Sequence, residues 1–336
     1  MAGLTSATGA GWDGWLPIRA WQLHGEWTID WCRFGNQPLR EPFFCDSVDA
    51  ALRRPFNLAF RRRSGMDALL DWQACSPGIA PTTFVFHASR CGSTLLAQVL
   101  AGFASHIVLS EPPPLDALLR AHYGDPAVVQ HHSAWIGALL SAWGQRRRGT
   151  ERALVVKLDA WNIFELPLLR RCFPDTPWIF LYRDPLEIAI SHLQEPGRHM
   201  VPGLIGESPL ALEADPGTNL SRAEFIARTT GRLLASGLEQ CVLHEGLLVN
   251  YDELPGAIGG RLSRLLGLDA AGAASAATGV QHHAKRPREA FEPDHVHKRE
   301  AANVEVREQV ERWARPPYLA LEALRTEQRT ATAMHA

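Results

Sequence analysis

Residues 82–100, Thr-Thr-Phe-Val-Phe-His-Ala-Ser-Arg-Cys-Gly-Ser-Thr-Leu-Leu-Ala-Gln-Val-Leu, constrain the fold of this chain more than any other stretch. β-Branched and aromatic residues at 83–87 follow Pro81, and apolar residues recur at helical spacing from Thr94 onward. Strand, tight loop and helix therefore succeed one another without slack. The loop residues are small and polar, Gly92 permits a backbone turn that a side chain would block, and the following helix offers unsatisfied N–H groups to an anion. An anionic group is expected over Gly92, Ser93 and Thr94. Magnesium-bound ATP is a poor fit, because its loop needs a glycine five residues before the second glycine and a lysine just after it. Those places hold His87 and Ser93, and the cation is Arg90, at the mouth of the loop.

Such an anion site has to be local. The 336 residues carry a formal net charge of −2, so no global field draws the chain to nucleic acid or to an anionic membrane. Six cysteines (Cys32, Cys45, Cys75, Cys91, Cys172, Cys241) are scattered without a CxxC pair, which reads as reduced thiols in a cytoplasm. The start of the chain lacks the basic and apolar regions of a secretory signal, and no later apolar run reaches membrane-spanning length. A soluble, cytoplasmic protein is expected. The length suits one enlarged α/β domain.

Residues 1–11 read as a disordered tail. Residues 12–80 hold five tryptophans within twenty residues (Trp12, Trp15, Trp21, Trp27, Trp31) and a strand-like alternation over 27–34. They form a small β-rich addition packed on the main domain at 81–300, with packing a more ordinary use for the tryptophans than an acceptor platform. The triplet Arg61-Arg62-Arg63 reads as a solvated helix edge without function. Residues 301–336 read as C-terminal surface helices and a tail.

Further strands are expected at 105–111, 153–159, 178–183 and 246–251. In a parallel sheet ligands collect beyond the carboxyl ends of strands, so Glu111 and Lys157 should face the same crevice as the loop. Glu111 is a candidate base, and Lys157 a cation able to steady charge on a leaving phosphate. Asp159 is either a second candidate base or the N-cap of the helix near Trp161. Asp184, Pro185 and Glu187 have the spacing of a capped helix start with a capping box. The adjacent His131 and His132 have no partner at metal-ligand spacing, and no metal site is expected. Residues 195–219, rich in Gly, Pro and acidic residues, read as a lid or acceptor loop.

Arg90-Cys91-Gly92-Ser93-Thr94 resembles the 5′-phosphosulfate loop of the sulfotransferases, with arginine where cytosolic members usually carry lysine. Phe173-Pro174-Asp175, then an apolar strand, Arg183-Asp184-Pro185 and a serine eight residues after the arginine, Ser191, resemble the family's 3′-phosphate motif. The resemblance covers residues 82–290. It implies a P-loop-like three-layer α/β fold around a central parallel sheet, and sulfuryl transfer from 3′-phosphoadenylyl sulfate (PAPS, leaving PAP) to the hydroxyl or amine of a small-molecule or peptide acceptor. By it, Ser89, Arg90, Cys91, Gly92, Ser93 and Thr94 hold the 5′-phosphosulfate, Arg183 and Ser191 the 3′-phosphate, and Tyr251 touches the adenine. Lys285, Arg286 and Arg288 either close the 3′-phosphate site or form a solvated charge run. Some bacterial and protein-tyrosine members carry a catalytic glutamate near the position of Glu111. Cytosolic members have lysine, any residue, then a histidine base, and here Lys157 matches while Asp159 replaces the histidine, so the base is either Glu111 or Asp159. The rival readings are a P-loop kinase using ATP and magnesium, and a non-catalytic protein of the same fold that binds a nucleotide or a partner.

Overall fold

The computed structural model describes residues 11–211, 220–278 and 303–334, and the backbone of two short strands, His282–His283 and Arg286–Ala290, paired antiparallel. Its centre is a five-stranded, wholly parallel sheet of β4 (Thr83–His87), β5 (His106–Ser110), β6 (Ala153–Lys157), β7 (Trp178–Tyr182) and β8 (Leu247–Asn250), in the spatial order β5-β6-β4-β7-β8. Because these strands are buried on both faces, they read as nearly continuous apolar runs. Alternation survives within the runs. Val85, Val108, Val155, Ile179 and Val249 face one core, which includes the helix Ser93–Ala101, and Phe84, Ile107, Leu154, Phe180 and Leu248 face the other.

The order β5-β6-β4-β7-β8 fixes where a ligand can enter. From β4 the chain builds β5 and β6 on one side, then crosses to build β7 and β8 on the other. The crevice of such a sheet opens at that reversal, beyond the carboxyl end of β4. In register, Val85 and Ser110 both lie beside Lys157, and His87 lies beside Leu181. The last residues of β4, β5 and β6 therefore meet at one edge.

Residues 12–80 carry a second, antiparallel sheet of β1 (Trp15–Leu23), β2 (Glu26–Arg33) and β3 (Arg62–Gly65). Leu23 is joined to Glu26 through His24 and Gly25, both at positive φ, the conformation that a two-residue hairpin turn matched to strand twist requires. The tryptophans pack. Trp12 and Trp31 lie 4.1 Å apart, Trp31 donates to Ser64 Oγ at 2.9 Å, and Trp143 of the main domain donates to the carbonyl of Pro17 at 2.9 Å. Arg62 and Arg63 belong to β3 rather than to a helix edge, with Arg62 stacked on Trp12 and Trp15 and Arg63 paired with Asp30 at 2.8 Å.

The C-terminal helices Val304–Trp313 and Arg315–Met334 are more than a surface layer. Val306, Val310, Ala314 and Leu321 are buried in the same core as β7, and Glu322 accepts from the Tyr182 hydroxyl and from Asn250 Nδ2. At Gly231, in the long helix Arg222–His244, a Cβ would lie 2.2 Å from the carbonyl oxygen of Trp313, so only glycine allows this approach. Residues 1–10, 212–219 and Lys285 lie outside the described residues.

Candidate functional site

The loop after β4 concentrates unusual backbone conformations. Ser89, Arg90 and Gly92 all have positive φ (65°, 51° and 82°), and non-glycine residues adopt this region only when the surroundings impose it. Gly92 needs its lack of a side chain twice over, because a Cβ there would also stand 2.8 Å from Tyr251 Cδ2 and 3.0 Å from Leu254 Cδ1. Gly92 is the N-cap of the helix Ser93–Ala101 and has no side chain to satisfy the first amides. Those amides, with the hydroxyls of Ser93 and Thr94, form a cradle that suits an anion.

Two loop residues have partners within the protein. The Ser89 N–H donates to His87 Nδ1 at 3.0 Å and is already engaged. The Cys91 thiol points into the core, donates to the Leu181 carbonyl at 3.3 Å and is pushed up to about 12 by burial, so Cys91 can offer a ligand only its backbone. Arg90 reaches across the crevice, with Nη1 3.1 Å from Glu195 Oε2 and Nη2 on the Glu195 carbonyl oxygen, just past the helix Pro185–Gln194.

Beside the loop, the ends of β4, β5 and β6 assemble a cluster. The Glu111 N–H continues the ladder to the Lys157 carbonyl at 2.8 Å, and its φ of 53° then turns the side chain back over the sheet edge. There Glu111 Oε1 meets Lys157 Nζ directly and lies 3.3 Å from His87 Nε2. Lys157, 0% exposed, also donates to Ser110 Oγ at 3.2 Å and has its ammonium 5.0 Å from the Phe43 ring centre. Burial pushes the Glu111 carboxyl up, but Lys157 and His87 outweigh it and hold the group well below the usual carboxylate range. His87 goes the other way, because burial keeps its imidazole neutral despite the neighbouring carboxylate. With Nδ1 accepting from Ser89, the His87 proton belongs on Nε2, facing Glu111, although that contact falls short of hydrogen-bond geometry.

Asp159 occupies a different environment. It is the N-cap of a short 3₁₀ turn, Ala160–Glu165, where Asn162 Oδ1 accepts from the Asp159 N–H at 3.2 Å in a reciprocal capping box. Burial first, then the charges of Glu111 and Asp116, raise its carboxyl well above the usual range. Of the two candidate bases, Glu111 is held toward its ionised form by Lys157 and His87, whereas burial and the neighbouring carboxylates push Asp159 toward its protonated form. Next to this cluster lies His199, which carried no signal in the sequence. Its ring packs on Trp161 at 5.7 Å and on His192 at 5.2 Å, and its Nε2 is buried with no hydrogen-bond partner among the described residues. Burial, followed by the neighbouring His87, pushes His199 down to about 3. His87 was likewise missed, since a histidine ending a strand has no distinguishing spacing.

The second motif is brought to the first through one ring. The Arg183 guanidinium lies 4.0 Å over Tyr251, whose edge packs on Gly92. Arg183 Nε also pairs with Glu187, both side chains buried. Asp184 Oδ1 accepts from the Leu186 N–H at 2.9 Å as expected of an N-cap, but Glu187 gives its carboxylate to Arg183 instead of closing a capping box. Ser191 lies half-buried on the same helix. Arg286 and Arg288 lie in the strand Arg286–Ala290, where only the backbone is described. Among the described residues no group of histidine, cysteine and carboxylate side chains could hold a metal, and no helix is long and apolar enough to cross a membrane.

No family model matches the sequence, and no curated protein is similar to it. Among solved structures the chain is similar to a sulfotransferase domain from the curacin biosynthetic pathway (18% identity, TM-score 0.39, covering 57% of this chain and 75% of that one). It is also similar to a sulfotransferase from Alicyclobacillus acidocaldarius (16%, 0.45, covering 74% and 96%) and to the sulfotransferase domain of the Synechococcus PCC 7002 olefin synthase (16%, 0.35, covering 71% and 96%). The chain's own architecture is a parallel α/β sheet with a strained, arginine-bearing loop at its topological switch point.

Proposed function

We propose that this chain is a sulfotransferase that moves a sulfuryl group from PAPS to the hydroxyl or amine of a small-molecule or peptide acceptor, with Glu111 as the base. The observation that carries the reading is the ionised Glu111 carboxylate, held between Lys157 and His87 at the sheet edge beside the loop of Arg90 and Gly92. The helix start without a side-chain cap, beside the glycine that admits Tyr251, supports an anion such as a phosphosulfate as the ligand of this loop. When bound, PAPS supplies an activated sulfuryl group whose transfer, like phosphoryl transfer, needs positioning and cations more than covalent help.

Lys157 and Arg90 are the cations for the departing oxygens. A carboxylate held as low as Glu111 is a weak base, so Lys157 has a second part in this scheme. When its ammonium turns from Glu111 toward developing phosphate charge, the carboxylate loses the partner that depressed it and gains basicity as the acceptor's proton must leave. His87 keeps Nε2–H toward Glu111 and restrains its orientation. Asp159 caps the turn that follows β6. Arg183 and Ser191 read the 3′-phosphate, and the Arg183–Tyr251–Gly92 stack ties that site to the loop. The six cysteines are free thiols, consistent with work in a reducing cytoplasm.

Turnover of labelled PAPS across a panel of acceptors tests the reading, together with calorimetric titration of PAP against ADP. The expected result is sulfuryl transfer without added magnesium and a marked preference for PAP. Equal affinity for the two nucleotides would remove PAPS as the donor, and magnesium-dependent consumption of ATP would favour a kinase.

A further inference from the structure

The near-zero net charge of the chain conceals a local concentration of positive charge around exposed apolar residues. Residues 53–63 read Arg-Arg-Pro-Phe-Asn-Leu-Ala-Phe-Arg-Arg-Arg, and no acidic residue occurs between Asp49 and Asp67. In the structure a short helix, Pro55–Ala59, and the residue after it present Phe56 (39% exposed), Leu58 (64%) and Phe60 (60%) to solvent, while Arg53 and Arg61 are exposed beside them and Arg63, also exposed, is paired with Asp30. Single exposed apolar residues need no explanation, but three large ones within five residues, ringed by cations, do.

The exposure is built in. Between Phe56 and Leu58 the side chain of Asn57 is buried and bolts the helix down, accepting from the Arg33 N–H at 3.0 Å and donating to the carbonyls of Arg33 and Ala51 at 2.9 Å each. Phe56 and Phe60 touch, with ring centres 5.0 Å apart, so the apolar tip is continuous. Arg33 lies 4.8 Å over the Phe56 ring. The tip is thus anchored to β2 with its apolar side outward.

We propose that this face docks the protein on an anionic phospholipid surface, Leu58 and Phe60 entering the acyl boundary while the surrounding arginines meet lipid phosphates. An apolar tip inside a cationic ring has the complementary layering to headgroups over hydrocarbon. A second copy of the chain is disfavoured as occupant, because a symmetric contact would press two identical basic faces together. Nucleic acid is disfavoured because it stacks bases on open ring faces, and Arg33 already covers Phe56. The proposal does not depend on the transfer chemistry. If that chemistry holds, the face is one helix, Phe44–Leu52, away from Phe43 and the Lys157 cluster, which suits an acceptor presented at a membrane.

Sedimentation of the full chain with vesicles tests this, using phosphatidylcholine alone and a phosphatidylcholine–phosphatidylglycerol mixture. Binding to the anionic vesicles should exceed binding to the neutral ones by at least roughly tenfold and weaken with added salt. Leu58→Ser with Phe60→Ser should lower that binding about tenfold while thermal unfolding stays unchanged, because both side chains already face solvent. Arg53→Gln with Arg61→Gln should remove the preference for anionic lipid. Absence of vesicle binding, or binding unaltered in both variants, overturns the proposal. Tighter binding of a single-stranded oligonucleotide that competes with vesicles would give the face to nucleic acid instead, and a dimer abolished by the Leu58/Phe60 variant would give it to a second copy.

Discussion

Replacing Lys157 with methionine tests whether the Glu111–Lys157 pair is the coupled unit on which the proposed chemistry rests. Methionine nearly preserves the length and apolar stem of lysine, so the perturbation is mainly one of charge. Removing one partner of a buried pair typically costs about 3–5 kcal/mol, since the other is left uncompensated. Glu111 is 24% exposed and retains His87 as a neighbour, so the lower end, about 3 kcal/mol, is expected at neutral pH. Glu111→Gln should cost a similar amount by stranding the fully buried ammonium between Ser110 and Phe43. The double variant should be milder than the sum of the singles, with a coupling of about 1–3 kcal/mol. Glu111 is held below its unfolded value, so its contribution is fully present above the unfolded carboxylate pKa of about 4.3 and is lost as pH falls through the folded value. The gap between wild type and Glu111→Gln should therefore be full at neutral pH and close only in strong acid. Urea unfolding of the four proteins over a descending pH series measures both quantities. Single effects that add to within about 0.5 kcal/mol, or a gap indifferent to acid, would refute the reasoning.

Arg90→Ala should lower turnover at least tenfold, since one oriented donor to transition-state charge supplies about 2.7–4 kcal/mol; steady-state rates equal to wild type would remove Arg90 from the mechanism. Arg183→Met alone would strand the buried Glu187 carboxylate, so Arg183→Met with Glu187→Gln is the cleaner perturbation. Calorimetry should then find the preference for PAP over ADP lost and ADP affinity nearly unchanged; a retained preference would place the 3′-phosphate elsewhere. His199, pushed down to about 3 from an ordinary value near 6.5, favours the folded state only while neutral, and that contribution is lost as pH falls from 6.5 toward 3. His199→Asn should flatten the acid slope of stability in this window by roughly 3–5 kcal/mol in total, and parallel wild-type and variant curves would show that His199 does not titrate as its burial requires.

The features legible in the sequence are those that local physics determines. Strands buried on both faces run apolar whatever surrounds them, so all five strands of the main sheet could be found, and the strand-loop-helix at 82–100 fixed the edge where Glu111 and Lys157 would appear. Asp184 could be recognised as an N-cap because the N–H that its carboxylate accepts from is only two residues away. Features that depend on a distant partner were hidden. The spacing of Glu187 fits both a capping box and an i,i+4 pair with Arg183, and only the buried guanidinium over Tyr251 decides between them. Three consecutive arginines show no strand alternation, and β3 exists because its backbone pairs with β2. The highly charged C-terminal helices concealed the narrow buried stripe of Val306, Val310, Ala314 and Leu321. His87 became informative only once its Nδ1 was seen to accept from Ser89, which aims the other nitrogen at Glu111.

The same distinction bears on the tryptophan-rich layer. Its sequence gives no sign of contact with the chemistry, and its tryptophans do pack. Yet the layer also delivers Phe43 to the main sheet. Trp143 bonds the carbonyl of Pro17 and receives the edge of Phe44 at 5.5 Å, which holds the start of the helix Phe44–Leu52 against the main domain. Phe43, immediately before that helix, is thereby carried over Lys157. An aromatic face 5.0 Å from the buried ammonium helps exclude water from it, and exclusion of water strengthens its attraction to Glu111. It equally strengthens the attraction to any phosphate charge that replaces Glu111. A lysine that must leave a carboxylate for a departing oxygen is best kept where both interactions are strong and water competes for neither. The added layer thus supplies Phe43 to the edge of the sheet where the proposed chemistry lies, held there through the contact of Phe44 with Trp143 of the main domain.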